Sequence, residues 1–277
     1  MKNGIYLVAT PIGNISDITL RALEVLKNAN IIACEDTRVT KKLFSLLAIS
    51  TTDKTFIPMH DHNEDEISQR LIDSAKQGHV IAYVSDAGSP LISDPGYKLS
   101  KKCREQNIYL TTIPGACAAI CAIQLSGLPS NSFTFIGFIP NKDKARQDLF
   151  NKYKNHDSTI IFYETANRLT KTLEAINSIF GNREIAVARE ITKLYEECLS
   201  GSAIDLLKHY NENKPKGEIV LMIAPSTEEE HSLDYTDELK NELKKSTLKT
   251  AVKVIVEKYN LNKNEVYQKA LELKNDQ

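Results

Sequence analysis

The sequence predicts an α/β fold of two domains followed by a small all-helical module. The chain has 277 residues, which is enough for two domains of ordinary size. Hydrophobic residues make up 42% and charged residues 26%, as in soluble globular proteins. Short apolar runs alternate with helical stretches until about residue 224, and the pattern is helical only from Tyr235 onwards. We therefore predict an N-terminal α/β domain at 1–115, a second α/β domain at 116–225 and a helical module at 235–277.

The first domain is predicted to contain a mainly parallel sheet. Its strand candidates are Ile5–Ala9, Ile31–Cys34, His79–Ser85 and Tyr109–Ile113. The intervening helical stretches lie near Thr19–Lys27, Asp65–Lys76 and Tyr97–Gln106. Parallel strands need a crossover connection, which is usually a helix. The loops that follow these strands should therefore meet at the carboxyl edge of the sheet, where open α/β sheets bind ligands.

The second domain is predicted to mix further strands with two helices. The strand candidates are Phe133–Phe138, Thr159–Tyr163, Glu184–Ala188 and Glu218–Ala224. The helices lie near Lys144–Lys154 and Arg168–Phe180. The polar stretch Pro225–Leu233, with its run Glu228–Glu230, is typical of a solvated linker.

The C-terminal module shows three helical stretches, at Asp237–Lys244, Leu248–Tyr259 and Lys263–Leu273. Short helices with tight connections are compatible with a helix-turn-helix module. Within 235–277, nine lysines stand against seven acidic residues, so the module is mildly basic. A small helical cap or a dimerisation element remains the alternative.

Composition excludes several classes of protein. The formal net charge is −1, so any nucleic-acid binding must use a local patch. No apolar run approaches the roughly 20 residues of a membrane helix, and the chain starts with a strand pattern, so we expect a cytoplasmic protein. Five cysteines without a Cys-x-x-Cys pair argue against a disulfide framework. His60 and His62 lie two residues apart, but no further cluster accompanies them, so we predict no metal.

The loop Thr10–Asn14 follows the first predicted strand. The chain contains neither a phosphate-binding P-loop nor the glycine fingerprint of dinucleotide-binding domains. Pro11 restricts the backbone of this loop, and Gly13 permits a positive φ and the close approach of another group. We predict that the loop lines a ligand site, with a simple turn as the alternative.

The stretch "YVSDAGSPLISDPGY" at 83–97 is more informative. Its small residues let a flat ligand lie against the backbone, and the Asp86 carboxylate can accept a hydrogen bond from a ligand hydroxyl or ammonium. Asp94 followed by Pro95 is typical of a helix N-cap with proline at the first helical position. We therefore predict a structural role for Asp94.

Several motifs together resemble a known family. They are "VATPIGN", "CEDTR", "HDHNE", "VSDAGSPLISDPG", "IPGACAAI", "GLPSNSFTFIGFIP", "IFYETANRL", "AREITK" and "KGEIVLMI". Their order from residue 5 to about 224 resembles the RNA-modifying branch of the tetrapyrrole (corrin/porphyrin) methylase superfamily, and the tail resembles that family's helix-turn-helix piece. The resemblance implies a mostly parallel first sheet, a mixed second sheet and a homodimer.

The activity that the resemblance implies is methyl transfer from S-adenosyl-L-methionine. The acceptor would be the ribose 2′-hydroxyl of a cytidine in the decoding region of small-subunit (16S) ribosomal RNA, free or in the assembled subunit. Two other possibilities remain open: a methyltransferase of the same fold acting on a small tetrapyrrole precursor, and a non-catalytic RNA-binding relative.

The resemblance also implies two groups of site residues. The cofactor-binding group comprises Pro11, Ser85, Asp86, Ala87, Gly88, Pro114, Ala116, Ala118, Tyr163, Glu164, Gly217 and Glu218. Glu35, Asp36 and Arg38 form the catalytic group on the acceptor side, with the general base unassigned. The alternative for Glu35 and Asp36 is a structural role at the start of a helix, where acidic side chains stabilise the helix dipole. One departure is Asn167, which stands where the family often has a histidine.

Overall fold

The structure, a computed structural model, describes residues 1–226, 235–259 and 263–275. The chain forms two compact units, Met1–Pro225 and Ser226–Gln277. The predicted run Glu228–Glu230 and most of the predicted linker lie outside the described residues.

The first sheet contains five parallel strands in the order β3-β2-β4-β1-β5. The strands are β1 (Gly4–Val8), β2 (Ile31–Cys34), β3 (Thr55–Pro58), β4 (Val80–Val84) and β5 (Leu110–Ile113). The helices between them are α1 (Leu20–Asn28), α2 (Thr37–Leu46), α3 (Glu64–Lys76) and α4 (Tyr97–Glu105). The predicted parallel sheet is confirmed.

The central strand β4 shows why this sheet is apolar on both faces. All five of its residues are buried. Ala82 and Val84 belong to one core cluster and Ile81 and Tyr83 to another, because successive side chains of a strand point to opposite faces. Helices cover both faces, as is usual for parallel sheets.

The second sheet is mixed, with the order β6-β7-β10-β8-β9. Its strands are β6 (Phe133–Phe138), β7 (Thr159–Thr165), β8 (Ile185–Arg189), β9 (Glu197–Gly201) and β10 (Glu218–Ile223). The associated helices are α5 (Ala118–Ser126), α6 (Asp143–Tyr153), α7 (Leu169–Phe180) and α8 (Ala203–Glu212). Only β6 and β7 pair in parallel, so the mixed sheet is confirmed.

The described residues of the C-terminal unit form three helices: α9 (Thr236–Lys245), α10 (Leu248–Tyr259) and α11 (Lys263–Asn275). They share a small core that includes Leu239, Val252 and Val266. The predicted all-helical module is thus present. Among the described residues, no helix is long and apolar enough to cross a membrane.

Candidate active site

A cavity of about 490 Å³ lies between the carboxyl edge of the first sheet and strands β7 and β10 of the second. We call its two sides the first-domain wall and the second-domain wall. The first-domain wall consists of Ile12, Glu35, Asp86–Ser89 and Ile92–Asp94. The second-domain wall consists of Cys117, Ala118, Phe138, Tyr163–Thr165, Ile191 and Gly217–Val220.

The cavity brings together most of the residues predicted to bind cofactor. Those on its walls are Asp86, Ala87, Gly88, Ala118, Tyr163, Glu164, Gly217 and Glu218. Pro11, Ser85, Pro114 and Ala116 are not on the walls. Two of the latter shape the loop after β4: the Ser85 hydroxyl donates to the Gly88 carbonyl at 3.1 Å, and Ser89 donates to the Ala116 carbonyl at 3.0 Å.

Backbone hydrogen bonds join the loops that follow β1 and β4. The Thr10 amide donates to the Gly88 carbonyl at 2.9 Å, and the Gly88 amide donates back at 3.1 Å. Gly88 has a φ of 82°, in the region that favours glycine. These hydrogen bonds therefore join the two loops that contribute Ile12 and Asp86–Ser89 to the first-domain wall.

Of the predicted catalytic group, only Glu35 lies on a cavity wall. Asp36 is the N-cap of α2 and accepts from the Arg38 amide at 2.7 Å. The Arg38 guanidinium pairs with the same carboxylate at 2.6 Å and holds the pKa of Asp36 at about 2. The helix-start alternative thus describes Asp36, whose backbone amide also donates to the Asp86 carboxylate at 3.1 Å.

Three carboxyl groups of the first-domain wall have raised pKa values. Burial is the largest cause for Glu35, Asp86 and Asp94, and each of them also lies near another negative group. The pKa of Asp94 rises to about 6 through burial and the neighbouring Glu35 carboxylate. Among the described residues, none of the three forms an ion pair. This wall therefore presents negative charge that a cationic ligand would neutralise.

The prediction that Asp94 caps a helix is wrong. Helix α4 begins at Tyr97 and its N-cap is Gly96, which has no side chain to accept a hydrogen bond. The buried Glu64 carboxylate takes that place and accepts from the amides of Gly96 at 3.0 Å and Lys98 at 2.7 Å. Because Glu64 comes from another helix, no local pattern could have revealed it.

The interpretation of Gly13 also needs correction. Its φ is not positive, and a Cβ at this position would lie 2.6 Å from Lys193 Cγ and 2.9 Å from the Ile191 carbonyl. The next amide, of Asn14, donates to Thr192 Oγ1 at 3.0 Å. The group that approaches Gly13 is therefore the loop between β8 and β9, rather than a ligand.

The second-domain wall is mainly apolar, and its carboxylates are paired. Glu164 accepts from the Thr165 amide, the Arg168 guanidinium and the Thr172 hydroxyl, each at 2.7 Å. Lys193 pairs with Glu218 at 3.1 Å. Glu164 thus reaches the cavity as a residue whose charge is already satisfied.

Aromatic side chains complete the second-domain wall. Tyr163 packs edge-to-face against Phe135 and Phe138, and burial raises its pKa to about 12. Asn167 is exposed and is not on either wall. Cys117, Phe138 and Ile191 were not identified from the sequence, because no chemical motif marks such contact residues.

Comparisons with known proteins agree with this architecture. The model of the tetrapyrrole (corrin/porphyrin) methylases matches residues 4–206. Relatives named ribosomal RNA small subunit methyltransferase I include one from Erythrobacter litoralis, 47% identical over 99% of this chain and 96% of its own. Another, from Rickettsia prowazekii, is 45% identical over 81% of this chain and 79% of its own.

Solved structures show the same fold at low sequence identity. A diphthine synthase gives a TM-score of 0.61 at 14% identity, over 79% of this chain and 89% of that one. A Thermus thermophilus uroporphyrin-III C-methyltransferase, complexed with S-adenosylhomocysteine, gives 0.53 at 15%, over 80% and 97%. From sequence and fold together, this chain is a methyltransferase that belongs to the tetrapyrrole (corrin/porphyrin) methylase family, among the relatives named ribosomal RNA small subunit methyltransferase I.

Proposed function

We propose that the chain transfers a methyl group from S-adenosyl-L-methionine to the ribose 2′-hydroxyl of a cytidine in the decoding region of small-subunit (16S) ribosomal RNA. The names of relatives 41–47% identical over nearly the whole chain support the RNA acceptor. The observation that carries the proposal is the cavity itself, in which one wall is acidic and the other apolar and aromatic.

The residues of the cavity fit this methyl donor. Its sulfonium and ammonium groups are cations, and the Glu35 and Asp86 carboxylates face the cavity and form no ion pair among the described residues. Its adenine ring is flat and has aromatic faces, which suit the side chains of Tyr163 and Ile219 on the opposite wall. The volume of about 490 Å³ lies in the usual range for small-molecule sites.

The chain's own residues would act mainly by positioning. When bound, S-adenosylmethionine supplies an electrophilic methyl that needs no metal. Asp86 is oriented by the Asp36 amide at one oxygen, which leaves its other oxygen available to a ligand donor. Both walls exclude water from the reacting groups, and alignment of two reactants alone can lower a barrier by about 7–11 kcal/mol.

We place the RNA on the side of helix α2. The Arg38 side chain is 89% exposed and pairs only with the neighbouring Asp36 among the described residues. An RNA phosphate could replace that carboxylate and receive two parallel hydrogen bonds from the guanidinium. A homodimer would double the basic surface available to the RNA, since the net charge of one chain is −1.

The test is methyl transfer to small ribosomal subunits from cells that lack this gene, followed by nucleoside mass spectrometry of the RNA. We expect one 2′-O-methylcytidine per subunit with the wild-type protein. Asp86→Asn should weaken binding of S-adenosylhomocysteine in calorimetry, whereas Asp61→Asn, an exposed residue outside the cavity, should not. Transfer to a tetrapyrrole precursor, with none to RNA, would replace the proposal by the alternative acceptor.

A further inference from the structure

We infer that Asp94 accepts the proton of the acceptor hydroxyl and that Glu64 is the positioning residue that holds its loop. The inference rests on the proposed function, because it requires an acceptor that must lose a proton. A ribose hydroxyl is a weak acid, so a positioned base can accelerate its reaction by roughly 10²–10⁴-fold.

The proton transfer and the methyl transfer involve only the acceptor hydroxyl, the methyl donor and the Asp94 carboxylate. The ribose O–H bond breaks and its proton passes to the Asp94 carboxylate. The oxygen uses an electron pair to bond the methyl carbon, while the pair of the broken S–C bond stays on sulfur. The sulfur loses its positive charge when the methyl group leaves, and Asp94 loses its negative charge when it takes the proton.

The backbone around Asp94 is held in an unusual conformation. Leu91 has a φ of 70° and Ser93 a φ of 67°, which is rare for residues with a side chain. Such backbone persists only where its surroundings fix it. The Tyr83 hydroxyl donates to the Pro95 carbonyl at 2.7 Å, and Glu64 accepts from the Gly96 amide at 3.0 Å. Two buried side chains thus fix the segment immediately after Asp94.

The same loop places Asp94 close to the second-domain wall. A Cβ on Gly137 of strand β6 would lie 3.2 Å from Ser93 Oγ. The charge of Asp94 also contributes to the raised pKa of Tyr163 on β7. Asp94 therefore lies at the meeting point of the two walls, where donor and acceptor must both fit.

The other two carboxylates of this wall are less suited to the role. One oxygen of Asp86 already accepts the Asp36 amide. Glu35 lies at the end of β2 near His60, whose charge opposes the rise of its pKa. Asp94 has no cation among the groups that shift its pKa: Glu35, Asp86 and Asp61 raise it, and a hydrogen bond from the Ser85 hydroxyl opposes the rise. The Tyr83 and Tyr163 phenols also lie near it. With a pKa of about 6 it is ionised at neutral pH and is still a stronger base than an ordinary aspartate.

Asp94→Asn tests the proton transfer, with Asp53→Asn as the control for an exposed carboxylate of the first domain outside the cavity. Single-turnover methylation of small ribosomal subunits, at saturating donor, should fall by about 10²–10⁴-fold in Asp94→Asn. Affinity for S-adenosylhomocysteine should stay within about threefold. The wild-type rate should rise with pH as Asp94 ionises, with a midpoint at or below 6 because the bound cationic donor favours the carboxylate, and the residual rate of Asp94→Asn should lack that rise.

Two substitutions of Glu64 test its positioning role. Glu64→Gln keeps a carbonyl oxygen that can accept from both amides, so it should retain most of the rate. Glu64→Ala loses both hydrogen bonds, so the loop is freed and the midpoint should shift below that of the wild type, towards that of a solvated aspartate. Carbon-13 titration of the aspartate carboxyls in the ligand-free protein should show one group near pH 6 that disappears in Asp94→Asn.

The outcomes separate the two proposals. An Asp94→Asn enzyme with the wild-type rate and the wild-type midpoint would overturn the role of Asp94 while leaving the RNA methylation intact. A tenfold or greater loss of S-adenosylhomocysteine affinity would make Asp94 a donor-binding residue instead. If the wild-type protein methylates no ribosomal RNA, the proposed function fails, and this inference fails with it.

Discussion

The two walls of the cavity treat their carboxylates in opposite ways. On the second-domain wall, Glu164 has three hydrogen-bond donors and Glu218 pairs with Lys193. On the first-domain wall, Glu35 and Asp94 have raised pKa values and, among the described residues, no ion pair. A buried carboxylate that keeps its partners costs a fold little, whereas one without a partner destabilises it. The difference indicates that the second-domain wall gives the cavity its shape and the first-domain wall gives it its charge.

The largest expected effect is a loss of unfolding free energy when the ion pair of the second-domain wall is broken. Arg168→Ala would leave the Glu164 carboxylate, 1% exposed, without its cationic partner. Breaking such a pair from one side typically costs about 3–5 kcal/mol of unfolding free energy. Urea denaturation should show this loss, and adding Glu164→Gln to Arg168→Ala should restore part of it. Wild-type stability in Arg168→Ala would show that the pair contributes nothing and would remove the contrast between the walls.

The contact between the loops of the two walls should give the next effect. Gly13→Val would force a side chain against Lys193 and the Ile191 carbonyl, and overpacking of this kind costs about 1–3 kcal/mol. Gly13→Ala should cost less than Gly13→Val in the same denaturation series. A Gly13→Val protein of unchanged stability but without turnover would instead support a ligand at this glycine.

Asp94→Asn should act in the opposite direction and stabilise the fold. The folded pKa of about 6 lies above the ordinary 3.8, so the folded state is penalised increasingly as the pH rises from about 4 through 6. Full linkage would amount to roughly 3 kcal/mol, and solvent screening of this partly exposed group reduces it to about 1 kcal/mol. Thermal unfolding at pH 7.5 should show the gain, and the gain should vanish near pH 3.5. Lower stability of Asp94→Asn at pH 7.5 would mean that the charge is satisfied.

Arg38→Ala should have the smallest effect on the fold, since its pair with Asp36 is exposed. We expect an unchanged melting temperature and unchanged S-adenosylhomocysteine affinity. Binding to the small ribosomal subunit should weaken by about tenfold or more, as for a lost charge-assisted hydrogen bond. Lys42→Ala, on the same helix, is the control. Equal losses in both variants would assign the effect to general charge rather than to Arg38.

Local patterns predicted much of this molecule, and tertiary contacts account for the rest. The buried strands β1, β2 and β4 are mainly apolar runs, and their predicted positions, like that of the edge strand β5, agree with the structure within two residues. The edge strands β3 and β9 were missed because they are short and partly exposed, which leaves little apolar signal. Helices α2 and α8 were not among the predicted helices, although the alternative role of Glu35 and Asp36 implied a helix start at α2.

The candidate site also combines residues that a local pattern predicted with residues whose role depends on tertiary contacts. Small residues and acids at strand ends marked the loop Asp86–Gly88, because strand order alone brings such loops to one edge. Asp94 was misjudged because Asp-Pro resembles an N-cap, whereas Glu64, thirty residues earlier, satisfies the helix. Contacts of that kind depend on the folded arrangement and leave no periodic trace in the sequence.

The strand order of the second sheet has a consequence for synthesis. Strand β10 is the last strand in the sequence, yet it lies between β7 and β8 in the middle of the sheet. Until Glu218–Ile223 has left the ribosome, β6 and β7 have no bond to β8 and β9 through this sheet. Domains generally fold as units while the chain emerges from its N-terminus. The nascent chain would thus display the acidic first-domain wall before the segment Gly217–Val220 arrives to close the cavity over it.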